Sequence, residues 1–307
     1  MNRRRGRNVA ASVRDRLLSL ARERGEDFQL LLSRYALERL LYRLGRTRHR
    51  DDFILKGAML FFLWDDHTHR PTRDVDLLGF GDNSAARLQA VFRELCALSV
   101  EDDGLILNAD SVQVEEIRTE MEYGGMRVTL LGELADARVS LQADIGFGDV
   151  VTPQAHEATY PTLLDSPPPV VRVYPRETVV AEKYEALVRL AMANSRMKDF
   201  YDLWVIANGF DFAGAVLAEA IHNTFRCRRT PLPENTPGGL GPGFREDPRK
   251  NAQWNAFLRK TGVGTNSLSL AEVCGVLEEF LGPPTRALTK GRAFGEKWKA
   301  GGPWSRV

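Results

Sequence analysis

Apolar residues between Val9 and Leu44 recur at helical spacing, as in Val13, Leu17, Ala21 and then Phe28, Leu31, Leu32, Tyr35, with Gly25 dividing the run into two predicted helices. Beyond them the period shortens. Phe53-Ile54-Leu55 reads as a buried strand closed by Lys56-Gly57, and Ala58 to Trp64 as a brief helix. Asp65 to Arg70 reads as a loop and Thr72 to Phe80 as a strand. Ser84 to Leu98 has the stripe of an amphipathic helix, and Val112–Ile117, Arg127–Leu131 and Arg138–Ile145 alternate like strands. After Pro167-Pro168-Pro169 comes a short strand, Val170–Tyr174, and Pro175 then opens a helix over Glu177 to Met192.

From there the pattern is helical, over Lys198–Ala207, Phe212–Phe225, Ala252–Lys260 and Leu270–Leu281. The Pro/Gly-rich stretch from Thr230 to Gly243 interrupts it and is expected to be mobile, and the tail from Lys290 to Val307 predicts no element. The fold class is therefore mixed α/β, an α+β arrangement in three parts. A helical segment spans 1–52, a mixed-sheet domain 53–175 and a helical lobe 176–307.

With 307 residues and 43% hydrophobic content the chain can bury a full core, and its apolar runs fall short of the ~20 residues that cross a bilayer. No membrane partner and a cytoplasmic location are expected. Cys96, Cys227 and Cys274 are few and widely spaced, which suggests buried free thiols rather than a disulfide scaffold or zinc site. The formal charge of +1 hides an asymmetry. Residues 1–50 hold 14 arginines against 5 acidic residues, a surplus of nine, so the remainder carries −8. Arg3, Arg4, Arg5 and Arg7, with Arg226, Arg228 and Arg229 later, are the candidate contacts to RNA phosphates.

The chemistry concentrates in Thr72-Arg73-Asp74-Val75-Asp76, where alternation sends both carboxylates to one strand face. Two acids that close repel unless a cation lies between them, and hard oxygen ligands suit Mg²⁺, or Mn²⁺ in its place. An Asp-x-Asp alone is weak evidence. Upstream, however, Gly57 lets backbone approach a phosphate, and Lys56 adds positive charge beside it. Downstream, Asp144 ends the polar side of an alternating strand as a third acid, with Asp149 as its competitor. Three carboxylates on neighbouring strands suit a two-metal phosphoryl or nucleotidyl transfer. Lys183 is flanked by Val179, Val180 and Leu187, an address that favours a triphosphate partner, the alternatives being a pair with Glu182 or Glu185 or a lysine that snorkels to solvent. On the triphosphate reading, Lys183→Met leaves the unliganded fold at least as stable. Lys198, Asp199 and Asp202 share one helical side and could equally be surface ion pairs.

Together, Phe53-Ile54-Leu55-Lys56-Gly57-Ala58, Thr72-Arg73-Asp74-Val75-Asp76, Ala181-Glu182-Lys183 and Lys198-Asp199-Phe200-Tyr201-Asp202-Leu203 resemble the AbiEii toxin family, from about Val9 to Leu281. The resemblance implies a nucleotidyltransferase-like mixed sheet carrying the metal site and a helical C-terminal lobe completing the nucleotide cleft. It implies a toxin of a toxin–antitoxin or phage-defence system that transfers a nucleotide from a nucleoside triphosphate to RNA, at the tRNA acceptor end, as relatives of the MenT group do. A separately encoded AbiEi-like protein would be the antitoxin. Carried onto matching positions, Asp74 and Asp76 bind metal, Lys183 contacts phosphates, and Asp202 or Asp199 completes the helical part of the site. One departure is that Gly57-Ala58 stands where many nucleotidyltransferases have Gly-Ser, so Thr72 is the candidate replacement hydroxyl. Three other readings are nucleotidyl or phosphoryl transfer to a protein, a non-catalytic nucleotide- or nucleic-acid-binding regulator, and a sugar-nucleotide glycosyltransferase.

Overall fold

The computed structural model describes residues 3–64, 70–117, 124–263 and 268–306. Of the expected loop from Asp65 to Arg70, residues 65–69 lie outside them. The chain divides into two compact units, one of residues 1–148 with 156–173, the other of residues 149–155 with 174–307.

The first unit begins with helices α1 (Arg3–Arg24) and α2 (Phe28–Gly45), and Asp27 caps α2 by accepting from the Leu30 amide. Strand β1 (Phe53–Lys56) runs into a tight 3-10 turn from Gly57 and the single helical turn α3 (Phe61–Trp64). There follow β2 (Asp74–Gly79), α4 (Ala85–Ala97), β3 (Leu105–Ile117), β4 (Gly125–Leu134), β5 (Ala137–Phe147), β6 (His156–Thr159) and β7 (Val170–Val173). All seven strands form one sheet in the order β3-β4-β5-β2-β1-β7-β6. It is mixed: β2 runs parallel to β5 and β1 parallel to β7, while the other neighbours are antiparallel.

The period-two pattern explains how the sheet is sided. In β5 the residues Val139, Leu141, Ala143 and Ile145 are buried while their alternates are not, and α2 packs on β5 and β7. Phe53, Ile54 and Leu55 of β1 are all buried, as expected of an inner strand. At Gly45 the chain passes so close to the Val170 carbonyl that a side chain there would strike backbone.

The second unit holds α5 (Arg176–Leu190), α6 (Met197–Gly209), β8 (Phe212–Ala213), α7 (Gly214–Cys227), α8 (Pro242–Arg245), α9 (Pro248–Thr261), α10 (Leu270–Thr289), β9 (Lys297–Trp298) and β10 (Trp304–Ser305). The helices bury Tyr184, Leu187, Leu203, Ile206, Leu217, Ile221, Phe225, Leu277 and Phe280 against one another. The stretch after Thr230 is seated rather than loose, with Leu240 buried and the Thr236 hydroxyl donating to Glu278. Of the three cysteines only Cys274 is buried, and Cys227 is exposed, contrary to the sequence expectation.

Helix α10 continues past Leu281 through Pro283 and Pro284, eight residues beyond the predicted end at Leu281. Pro284 has no N–H to give the Phe280 carbonyl, and the Trp304 indole N–H donates there instead, at 2.9 Å. Trp298 acts similarly on α6, donating to the Ala207 carbonyl in the last turn at 2.6 Å. The tail thus satisfies two helices, pairs β10 with β9 and β9 with β8, and stacks Trp304 on Phe280. Trp304→Phe keeps the ring and removes the donor, so thermal melts should show a loss of about 1–3 kcal/mol. An unchanged melting temperature would mean that water replaces the indole at that carbonyl.

Candidate functional site

The strand registers bring two of the predicted acids, Asp76 and Asp144, into one row and Asp74 into the next. Asp76 on β2 pairs across with Asp144 on β5, and Asp144 in turn with Arg127 on β4. On the other side Asp76 faces Lys56 of β1. Directly paired residues project from the same sheet face, so Lys56, Asp76, Asp144 and Arg127 form a charged row across four strands. The row next to it is neutral apart from Asp74, which adjoins Gln142 and then Thr129. Val75 and Leu77, between and beyond the two aspartates, are buried on the opposite face.

Each carboxylate has an identifiable environment. The Thr72 hydroxyl donates to Asp74 Oδ1 at 2.6 Å, so it serves the acid rather than standing free as a replacement for the missing serine. Arg127 grips Asp144 with two parallel bonds, Nε to Oδ1 and Nη2 to Oδ2, both 2.8 Å, and the Gln142 amide lies 3.2 Å from Oδ1. These bonds to Asp144 raise the Arg127 pKa, with burial opposing and Glu115 and Asp74 adding to the rise. Sequence reasoning did not single out Arg127 or Gln142. Period two places both on the polar face, but only the register shows that they meet Asp144.

Gly57 has a positive φ of +74°. A Cβ there would come within 2.6 Å of Asp76 Cγ and 2.7 Å of its Cβ. The bare glycine therefore leaves room for the Asp76 carboxylate beside the turn. Gly57→Ala should cost about 1–3 kcal/mol of stability and displace Asp76, with a roughly tenfold or greater loss of Mn²⁺ affinity. Calorimetric titration and thermal melts check this, and unchanged affinity would show that the close approach has no bearing on an ion.

Asp74 and Asp76 supply two hard oxygen donors on one strand face, which fits Mg²⁺, an ion that keeps several waters and takes substrate phosphates as further ligands. Among the described residues no three acidic, histidine or cysteine side chains gather into a ready-made ligand set. Any ion here would rely on those outer ligands.

In the second unit the predicted residues also cluster, in a different way from that expected. Lys183 Nζ donates to Asp199 Oδ1 at 2.7 Å and to Asp202 Oδ2 at 2.8 Å, and both aspartates are 0% exposed, so they are not surface pairs. Asp199 and Asp202 thus supply the anion for which the sequence offered Glu182 or Glu185. Arg196 Nε adds a contact of 2.6 Å to Asp199 Oδ2, a second cation on that carboxylate. Burial pushes the Asp199 carboxyl up, but Lys183 and Arg196 outweigh it and hold the group below its ordinary value. Lys198 is exposed.

Asp149, the competitor of Asp144, belongs to this second unit and is gripped by Arg228 at 2.8 Å. Arg228 also reaches Glu185 at 2.9 Å and Glu182 at 3.2 Å. Burial alone would lower its pKa, yet the three carboxylates raise it. Its guanidinium ties α5, the end of α7 and the 149–155 segment together, whereas Arg226 and Arg229 are exposed. Arg3, Arg4, Arg5 and Arg7 lie in the first turns of α1, and their side chains are outside the described residues.

A mixed sheet with paired aspartates beside a strand–glycine junction, joined to a helical unit, defines a nucleotidyltransferase-like protein. The chain belongs to the AbiEii family, described as "Nucleotidyl transferase AbiEii toxin, Type IV TA system", whose sequence profile matches residues 39–288. Membership makes it a nucleotidyltransferase-family toxin, with a nucleotide substrate and an antitoxin partner implied. Among solved structures it is similar to JHP933 from Helicobacter pylori, at 15% identity and a TM-score of 0.50 over 86% of this chain and 95% of that one. A second H. pylori protein, described as a "putative nucleotidyltransferase", is 16% identical with a TM-score of 0.49 over 87% of this chain and 100% of its own. At 15% identity the likeness to JHP933 concerns the fold alone. No curated protein matches the chain.

Proposed function

We propose that the protein transfers a nucleotide from a nucleoside triphosphate to RNA, at a tRNA acceptor end, using Mg²⁺ or Mn²⁺ held by Asp74 and Asp76. The observation that carries this reading is the alignment of Asp74, Asp76 and Asp144 on one face of neighbouring strands, beside a glycine whose missing side chain makes room for Asp76. A bound ion would neutralise the paired carboxylates and polarise the triphosphate. Lys56 and the turn at Gly57 bring positive charge and open backbone to the phosphates. Asp144, held in place by Arg127, has the proposed role of orienting the acceptor hydroxyl.

Lys183 is the proposed phosphate contact of the helical unit, held in place by Asp199 and Asp202, with Lys198 exposed on the same helix as those aspartates. The arginine surplus of the first 50 residues supports an RNA acceptor, as do exposed Arg226 and Arg229. Arg228 is better assigned to structure, because its guanidinium is spent on Asp149, Glu182 and Glu185. Toxin–antitoxin membership supports a separately encoded AbiEi-like antitoxin, and the proposed place of action is the cytoplasm. Among the described residues no helix is long and apolar enough to cross a membrane.

The acceptor is tested by incubating the protein with each α-labelled nucleoside triphosphate, Mg²⁺, total RNA and purified antitoxin. Label in the tRNA fraction is the expected result. Label in protein alone would shift the reading to protein modification.

A further inference from the structure

Two-metal transfer needs carboxylates able to bridge both ions, and three acids in the sequence suggest that arrangement. The geometry does not leave the third acid available. Both oxygens of Asp144 accept from Arg127 at 2.8 Å, Gln142 adds its amide at 3.2 and 3.3 Å, and the side chain is only 18% exposed. A forked guanidinium occupies a lone pair on each oxygen, Gln142 crowds the same atoms, and the guanidinium's own charge repels a divalent ion brought beside it.

We infer that the site works with a single divalent ion at Asp74 and Asp76, and that Arg127 fills the place of the second cation beside Asp144. The inference rests on the reading of Asp74 and Asp76 as ion ligands.

The neighbouring positions agree with it. In the row of Asp74 the adjacent residues are Gln142 and Thr129, which are neutral and supply no further carboxylate. In the row of Asp76 the charges run positive, negative, negative, positive from Lys56 to Arg127, and Glu115 on β3 pairs across from Arg127 as a further anion. Arg127 is thus enclosed between two acids along the sheet, which anchors it as a fixed charge. A guanidinium is also always protonated, so this cation does not depend on ion supply. Arg127 is therefore a positioning residue: it holds Asp144 still and reserves the ion for Asp74 and Asp76.

The test counts bound Mn²⁺ by electron paramagnetic resonance on the full chain with a non-hydrolysable nucleoside triphosphate, for the wild type, Arg127→Met, Arg127→Lys and Asp74→Asn. The expected result is one ion per chain in the wild type and in Arg127→Lys, which keeps the charge. Two are expected in Arg127→Met, where Asp144 is released, and none in Asp74→Asn. The affinity of the first ion should shift by no more than about tenfold in Arg127→Met. Two ions in the wild type would overturn the inference and leave the Asp74 and Asp76 reading intact. One ion in a folded Arg127→Met would likewise overturn it. No ion in the wild type would overturn both. If Arg127→Met fails to fold, Arg127→Gln, which keeps a donor to Asp144 without the charge, carries the same expectation of two ions, and one ion there would overturn the inference.

Discussion

Lys183→Met is expected to destabilise the helical unit by about 3–5 kcal/mol, because it strips a shared cation from two fully buried carboxylates, Asp199 and Asp202. This reverses the sequence expectation, made on the triphosphate reading, that Lys183→Met leaves the unliganded fold at least as stable. The pH dependence follows from the direction of the Asp199 shift. Its folded pKa lies below the unfolded value near 3.8, so the stability it contributes is fully present above that value and is lost as pH falls through the lower folded one. In the Met variant the carboxyl pKa should rise instead, and acidification should recover stability. Thermal melts at pH 7 and near pH 4 measure both effects. The gap of roughly 10 °C expected at pH 7 should narrow in acid. Equal melting temperatures at pH 7 would contradict the account. On the proposed phosphate role, triphosphate affinity measured well below the melting point should also fall by about 2 kcal/mol or more.

Asp74→Asn and Asp76→Asn should each reduce transfer roughly a thousandfold or more, since a weakly donating amide replaces an ionised ligand. Stability should change by no more than about 1 kcal/mol. The Thr72 hydroxyl can still donate to an asparagine carbonyl at position 74, and the repulsion between the two acids is relieved. Steady-state rates over a Mg²⁺ series, set beside melting curves, check both parts. Retained activity in Asp74→Asn at low Mg²⁺ would remove the metal from the site.

The sheet was legible because its pattern is local. Alternation in Arg138–Ile145 and the apolar run Phe53–Leu55 found β5 and β1 to within a few residues, and helical spacing found α4, α5 and α6. Elements governed by distant partners were not. Helix α10 passes two prolines because Trp304, twenty residues away, supplies a donor, and the tail that delivers it carries little periodicity of its own. Strand β6 is only four residues long and mostly exposed, so no apolar pattern marks it.

The site follows the same division. Asp74, Asp76, Gly57 and Asp144 could be picked out because their chemistry shows in short motifs. What each acid touches could not. Helical spacing made Asp199 and Asp202 look like partners of Lys198 on a wet surface, whereas Lys183 from the preceding helix neutralises them in the interior. Arg127 carries no motif, and its relation to Asp144 exists only through the pairing of β4 with β5.

The central claim, nucleotidyl transfer at Asp74 and Asp76, is tested most directly by parallel reactions with α-labelled and γ-labelled nucleoside triphosphate, Mg²⁺ and RNA, using the wild type and Asp76→Asn. The account predicts label in RNA from the α position only, and none in the variant. Label from the γ position, or equal α-label with Asp76→Asn, would contradict it.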